Sequence, residues 1–296
     1  PPPPPPPFFS PPHPANRHSS TSRGLGDVYK RQAQSYVNPN KVILPPYYPV
    51  HPELQKDWAK YLDSWVKTDK EVSEILNDLK IAGRLDSTAV FLWTDHGVSH
   101  LRGKQFLYEE GIRVPMIIRL PRMQHAGTVR DDLIEHIDIA ACSLNLAGIK
   151  VPDNIQGRDF LSADYKSRRF IFAGRDRCDE TVDIQRCVRD SRYKYIRNFM
   201  SHVSHAQPSQ YKDGKKILQV IRGLHKQGKL NEQQARPFAP RRPPEELYDL
   251  DSDPYELVNL AWEPKHQKKL LAMRKALFER MAKTRDAVSY THLRAH

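Results

Sequence analysis

Thr88-Ala89-Val90-Phe91-Leu92-Trp93 runs into Thr94-Asp95-His96-Gly97-Val98-Ser99-His100-Leu101-Arg102-Gly103-Lys104-Gln105-Phe106-Leu107-Tyr108-Glu109-Glu110-Gly111-Ile112-Arg113-Val114-Pro115, and these residues decide the fold. A short apolar run of this kind is expected to be a strand buried in a parallel sheet. It stops at Asp95-His96-Gly97, which sets a carboxylate and an imidazole at the C-terminal end of a strand, where open α/β sheets place their ligands. Asp95 offers a hard oxygen ligand, and His96 a nitrogen ligand or a hydrogen bond to a bound group. Gly97 allows close approach of the backbone. Lys104 offers a point charge for an oxyanion, and Gly103 keeps its surroundings open. His100 and Arg102 lie between the pair and the lysine, each as a substrate contact or as a loop residue facing water. On spacing alone, a polar turn followed by a solvated lysine explains the stretch equally well, because one Asp-His pair is a weak metal signal.

Working outward, Leu62, Trp65, Val66, Val72, Ile75, Leu76 and Leu79 fall at three- and four-residue spacings and predict an amphipathic helix over 55–82, capped by Gly83. A second buried strand is expected at 114–119 and a helix at 133–147. The order helix, strand, loop, strand, helix predicts an α/β domain with a parallel sheet. From residue 166 the pattern changes to short strands at 170–173, 185–189, 193–197 and 246–250. The second and third of these form a hairpin through Asp190-Ser191-Arg192, and a terminal helix spans 264–283. Residues 200–243 are polar, basic and Pro-bearing, and read as a long surface excursion. Its lysines and arginines (Lys212, Lys215, Lys216, Arg222, Lys226, Lys229) read as a solvated helix face. The charged group Arg175, Asp176, Arg177, Asp179 and Glu180 either grips a charged sugar or pairs internally.

Hydrophobic residues make up 39% of the 296, enough for a buried core. The formal net charge of +12 favours anionic partners such as sulfated glycans, nucleic acid or anionic lipid, without choosing among them. No apolar run is long enough to predict a membrane-spanning helix. Cys142, Cys178 and Cys187 lack zinc or redox spacing; a Cys178–Cys187 bridge requires the two to face each other across a hairpin. A proline tract opens the chain, and 23–32 and 288–296 resemble translated adapter sequence. Residues 1–32 and 287–296 are therefore expected to be non-native or disordered tails. Residues 33–165 and 166–286 are expected to be an α/β part and an α+β part.

The Thr94–Pro115 stretch resembles the second signature region of the sulfatase family, in which S/T-D-H/N-G ends a core strand and G-K-x-x-x-Y-E-x-G-x-R-V-P follows. Gly103, Lys104, Leu107, Tyr108, Glu109, Gly111, Arg113, Val114 and Pro115 carry the match. Leu44-Pro45-Pro46-Tyr47-Tyr48-Pro49, Ile137-Asp138-Ile139-Ala140 and Gln156-Gly157-Arg158 also resemble the family. Asp176-Arg177-Cys178-Asp179-Glu180-Thr181, 192–199 and 246–250 look closest to the heparan N-sulfatase-like bacterial branch. The resemblance implies an alkaline-phosphatase-like fold with a parallel or mixed sheet and flanking helices, plus a small C-terminal antiparallel sheet with a packed helix. It implies metal-dependent hydrolysis of sulfuric esters or sulfamates, with Asp95 and His96 binding a divalent metal, most often Ca2+, and Lys104 holding a sulfate oxygen. His100 is then a second catalytic candidate, and Arg102, Arg175 and Arg177 are substrate-binding candidates.

The family's nucleophile is a formylglycine made within C/S-x-P-S-R, and no such motif occurs in the sequence. The chain as written is therefore expected to turn over nothing. The intact protein is expected in the periplasm, the lysosome or outside the cell, acting on a sulfated, glycosaminoglycan-like glycan. Two other readings compete: a phosphatase or phosphodiesterase of the same superfamily, and a basic nucleic-acid-binding protein. The second expects interleaved aromatic and basic residues on a recognised module, and no specific nucleic-acid partner is expected because none is found.

Overall fold

The computed structural model describes residues 35–286 and Val288. The expectations for residues 1–32 and 289–296 lie outside the described residues. Among the described residues two compact units emerge, one of 132–168 and the other of 35–131 with 169–286.

In the larger unit, α1 (Pro52–Ile81) begins at His51, whose imidazole accepts from the Glu53 amide, with Pro52 at the first helical position. It ends at Gly83, whose φ of +66° suits the residue after a helix C-cap. β1 (Val90–Trp93) then pairs with β2 (Met116–Arg119). This pairing is antiparallel, from Val90↔Arg119 to Trp93↔Met116, where element order predicted parallel strands. The physical reason lies in the connection, which holds only a single-turn helix, α2 (Glu109–Ile112), and turns back on itself. A parallel return needs a covering crossover, usually helical.

β3 (Ile171–Cys178), β4 (Thr181–Arg189), β5 (Tyr193–Asn198) and β6 (Glu245–Asp249) form an antiparallel sheet in that order. Alternation along its strands splits the core. Val188, Tyr195 and Leu247 face α7 (Gln267–Lys283), which presents Leu270, Met273, Leu277 and Met281. Their neighbours Cys187, Ile196 and Tyr248 face the opposite way, into a cluster with Tyr47, Leu101, Phe106, Leu107 and Tyr108. The sheet is therefore buried on both faces, and its second face is the floor of the Asp-His-Gly loop. Cys187 lies opposite Ala173 and Cys178 opposite Thr181, so the two cysteines do not face each other and all three are free thiols.

Residues 200–243 are not a solvated excursion. They carry α4 (Gln210–Asp213), α5 (Lys216–Lys226) and α6 (Glu232–Ala235), and bury Ile217, Leu218 and Ile221 in the floor cluster. Polar residues dominate the segment, but α5 gathers Ile217, Leu218 and Ile221 on one buried face.

The smaller unit is built on α3 (His136–Leu146), opened by a reciprocal capping box between Glu135 and Asp138. The fully buried Asp138 carboxylate also accepts from the Arg158 amide and pairs with Arg168.

Lys194 on β5 is a fully buried charge in the larger unit, with its ammonium 2.7 Å from Glu109 Oε1 and 2.9 Å from Glu256 Oε1. It also donates to the Leu107 carbonyl. Burial pulls the lysine down, but the two carboxylates outweigh it and hold the ammonium charged. Burial likewise pushes Glu109 up, and Lys194 with Arg189 brings it below the usual carboxylate range. Lys194→Met keeps the volume, leaves the buried Glu256 without its cation and leaves Glu109 with Arg189 alone. It is expected to cost about 3–5 kcal/mol of unfolding free energy at neutral pH, read from urea titration; a loss under about 1 kcal/mol would show that the pairs contribute little.

Candidate active site

Asp95 and His96 stand just beyond the end of β1. The Asp95 side chain is 85% exposed, and its Oδ2 lies 3.6 Å from His96 Nε2. His96 Nδ1 is 2.7 Å from the Gly97 carbonyl, so it donates there and leaves Nε2 as the free ring nitrogen. The pair supplies two of the six to eight donors that Ca2+ takes. Among the described residues no cluster of three or more His, Cys, Asp or Glu side chains forms. The donor chemistry therefore fits part of a divalent-cation site.

The loop that follows is packed at main-chain distance. A Cβ at Gly97 would lie 1.6 Å from the Glu110 carbonyl oxygen, and one at Gly103 would lie 1.9 Å from that of Val98. The Gly97 amide also donates to Gly111 O, which draws the Asp-His pair against the Tyr108–Gly111 turn. Arg102 and Gln105 both have left-handed φ, +70° and +82°, on either side of Gly103-Lys104. Non-glycine residues hold such angles only where their surroundings enforce them. For Arg102 the surroundings are two rings: its guanidinium lies over Tyr47 and Tyr108, 4.7 and 3.9 Å from their centroids. It also donates to the Tyr255 and Glu256 carbonyls. The structure thus places Arg102 in the core rather than on a substrate-facing surface.

His100 is also inside, 5% exposed, with Nε2 3.0 Å from Asp57 Oδ2 and its ring edge-on to Trp58. Arg175 turns inward as well: it donates to the Gln105 carbonyl at 2.6 Å and to Thr181 Oγ1, and pairs with Asp183. Arg177 remains exposed and donates to the Asp179 carbonyl. Of the predicted residues, the structure therefore brings Asp95, His96 and Lys104 onto one loop, with His100, Arg102 and Arg175 as its supports. Arg177 stands apart on the β3–β4 hairpin.

Three residues that matter here were read from the sequence as solvated or passed over. Lys212 on α4 is 5% exposed and donates to the carbonyls of His100 and Lys104, at 2.9 and 2.8 Å. Lys215 donates to Ser99 O and Oγ, and the Tyr211 hydroxyl shares a hydrogen bond with Ser99 Oγ. A usable signal existed in Ser209, whose hydroxyl caps α4 by accepting from the Lys212 amide, followed by the apolar stripe of α5.

Burial, reinforced by Lys215, Arg175 and Lys104, pushes the Lys212 amine down to about 7. Above that pH the unfolded chain binds more protons than the folded one, up to the ordinary lysine value, so this group makes stability rise with pH across that window. Below it the cost of the buried charge is fully present. Lys212→Met removes the dependence: the stability difference, wild type minus variant, is expected to grow in favour of the wild type from about pH 6 to about pH 10 in chemical denaturation. A flat difference would place the proton elsewhere.

The family model described as Sulfatase matches residues 3–149, and that described as N-sulphoglucosamine sulphohydrolase, C-terminal, matches 97–230. The chain is 38% identical to an ulvan-active sulfatase of Formosa agariphila over 238 residues, 80% of this chain and 40% of the relative. It is 22% identical to the N-sulphoglucosamine sulphohydrolase of Homo sapiens over 284 residues, 89% of this chain and 55% of the relative. The chain thus spans about half the length of these relatives or less. A solved 2-O GAG sulfatase superposes with a TM-score of 0.56 at 22% identity, over 80% of this chain and 43% of that one, which shows a shared fold. The two family models overlap at 97–149, which includes the loop from Gly97 to Lys104, and the chain belongs to the sulfatase family.

Proposed function

We propose that this chain carries the metal-pair and lysine side of the active site in a hydrolase of sulfuric esters or sulfamates on sulfated glycans. The observation that carries the reading is Lys104. Its ammonium has no carboxylate partner among the described residues, on a loop whose carbonyls are tied down by Lys212, Lys215 and Arg175. A positive charge held without a counterion on a preorganised backbone is a receptor for an oxyanion.

In this reading Lys104 donates to a sulfate oxygen and stabilises the charge that builds there as the S–O or S–N bond breaks. Asp95 and His96 are the residues that would hold a Ca2+ ion, which would supply a positive charge to neutralise and polarise the sulfate. The nucleophile would be a formylglycine, whose C/S-x-P-S-R motif does not occur in this sequence. His100, wedged between Asp57 and Trp58, orients the loop; Arg102 and Arg175 do the same from the floor and the hairpin. Arg177 is free to meet a charged substituent of the glycan.

The printed names of relatives support the substrate class, since they include ulvan-active and N-sulphoglucosamine enzymes. A formal charge of +12 suits a polyanionic polysaccharide. A relative named an extracellular sulfatase, from Drosophila melanogaster, supports a place outside the cytosol, and no helix among the described residues is long and apolar enough to cross a membrane.

The test is an assay of the intact gene product, with Ca2+, on sulfated glycosaminoglycan and ulvan oligosaccharides, with ion chromatography of the released anion. Sulfate release that falls about 10²–10³-fold in kcat for Lys104→Met is expected. Release of phosphate from phosphate esters, with sulfated glycans untouched, would move the enzyme to the phosphohydrolases.

A further inference from the structure

Tyr211 and Lys215 stand beside Lys104 in a way that the sulfate-holding role of Lys104 does not use. The Tyr211 ring carries two ammonium groups, Lys215 Nζ at 4.6 Å and Lys104 Nζ at 5.1 Å from its centroid. A third, Lys212, is buried against the same loop. Nearby carboxylates are engaged elsewhere. Asp213 pairs with Arg222 and accepts from the Ser209 amide, Glu180 accepts from the Gln210 amide, and Asp183 is taken by Arg175 and Arg242. Among the described residues no carboxylate comes within ion-pair distance of Lys104, Lys212 or Lys215, and carbonyl and π contacts do not cancel their charge. Lys215 donates to Ser99 O and Oγ, and its ammonium also lies against Tyr211.

We infer that Tyr211 and Lys215 form a second anion subsite next to Lys104, taking a further oxyanion substituent, a sulfate or a uronate carboxylate, of the same glycan. The inference rests on the function proposed above. Two like charges over one ring repel, and an anion between or beside them relieves that repulsion. Ser99 is the link: it fixes both Lys215 and Tyr211 to the loop that carries Lys104, so the two anion contacts are set at a constant spacing. A glycan with a single sulfate leaves one contact empty.

The 296-residue chain is titrated calorimetrically at low ionic strength with glucosamine 6-O-sulfate, with glucosamine-2-N,6-O-disulfate and with a uronate-bearing 6-O-sulfated disaccharide. The expected result is about tenfold tighter binding of at least one doubly anionic ligand over the monosulfate. Which of the two gains tells sulfate from carboxylate. Lys215→Gln keeps a donor for Ser99 but not the charge, and should erase the preference for the doubly anionic ligand over the monosulfate; Lys215→Arg should retain it. Equal affinities in the wild type, a preference that survives Lys215→Gln, or no binding of any ligand overturns the subsite. Lys104→Met separates the two ideas. If it weakens the monosulfate while the second anion adds nothing, the sulfate-lysine reading stands and the subsite falls. If it leaves every ligand unaffected, that reading falls by itself.

Discussion

A buried ammonium between two buried carboxylates fastens the loop of the candidate site to the sheet beneath it. Lys194 reaches out of β5 to Glu109, at the head of the turn after Lys104, and to Glu256, in the turn after β6. Glu256 returns a bond to the Glu109 amide, so the same three residues close a ring through the main chain. Taking these charges out of water is expensive, and such a network tolerates the loss of no single member. Its use is geometric: it leaves the Tyr108–Gly111 turn one position against the sheet, and Gly97 can approach that turn only there.

Lys104 is consequently set by the residues around it more than by its own loop. Arg102 is locked between two tyrosine rings, Arg175 takes the Gln105 carbonyl, and Lys212 and Lys215 take three more carbonyls of the same loop. Side chains thus do the work that a regular element would do with main-chain ladders, in a stretch whose carbonyls lie too deep for water to serve. The left-handed residues at 102 and 105 are affordable under that restraint.

The parts of this structure legible from sequence are those written in local pattern. Periodicity located α1, β1, α3 and α7, the Asp190-Ser191-Arg192 turn located the β4–β5 hairpin, and Gly83 marked the end of α1. Asp95, His96 and Lys104 could be proposed from sequence because a strand end followed by spaced glycines is a local pattern too. Lys212 and Lys215 were not, since a lysine in a basic segment looks the same whether it meets water or two carbonyls across more than a hundred residues. Arg102 and Arg175 were assigned to the substrate for a related reason: an arginine in a charged loop carries no mark of the aromatic rings or carbonyls that will enclose it. The antiparallel pairing of β1 and β2 was missed because element order does not reveal whether a connection crosses the sheet or doubles back.

These fastenings have a temporal side. The loop's partners lie 87 residues away for Lys194 with Leu107, 112 for Lys212 with His100 and 147 for Glu256 with Glu109. Contacts so distant in sequence close late, after the entropy of their long loops has been overcome. During synthesis, a chain that has emerged only as far as β2 has none of them. Its anion-binding loop then carries left-handed residues and buried carbonyls with nothing to hold them. The loop takes its shape only when β5 and the turn beyond β6 arrive, so a polypeptide cut short before residue 256 keeps the signature residues and loses their geometry.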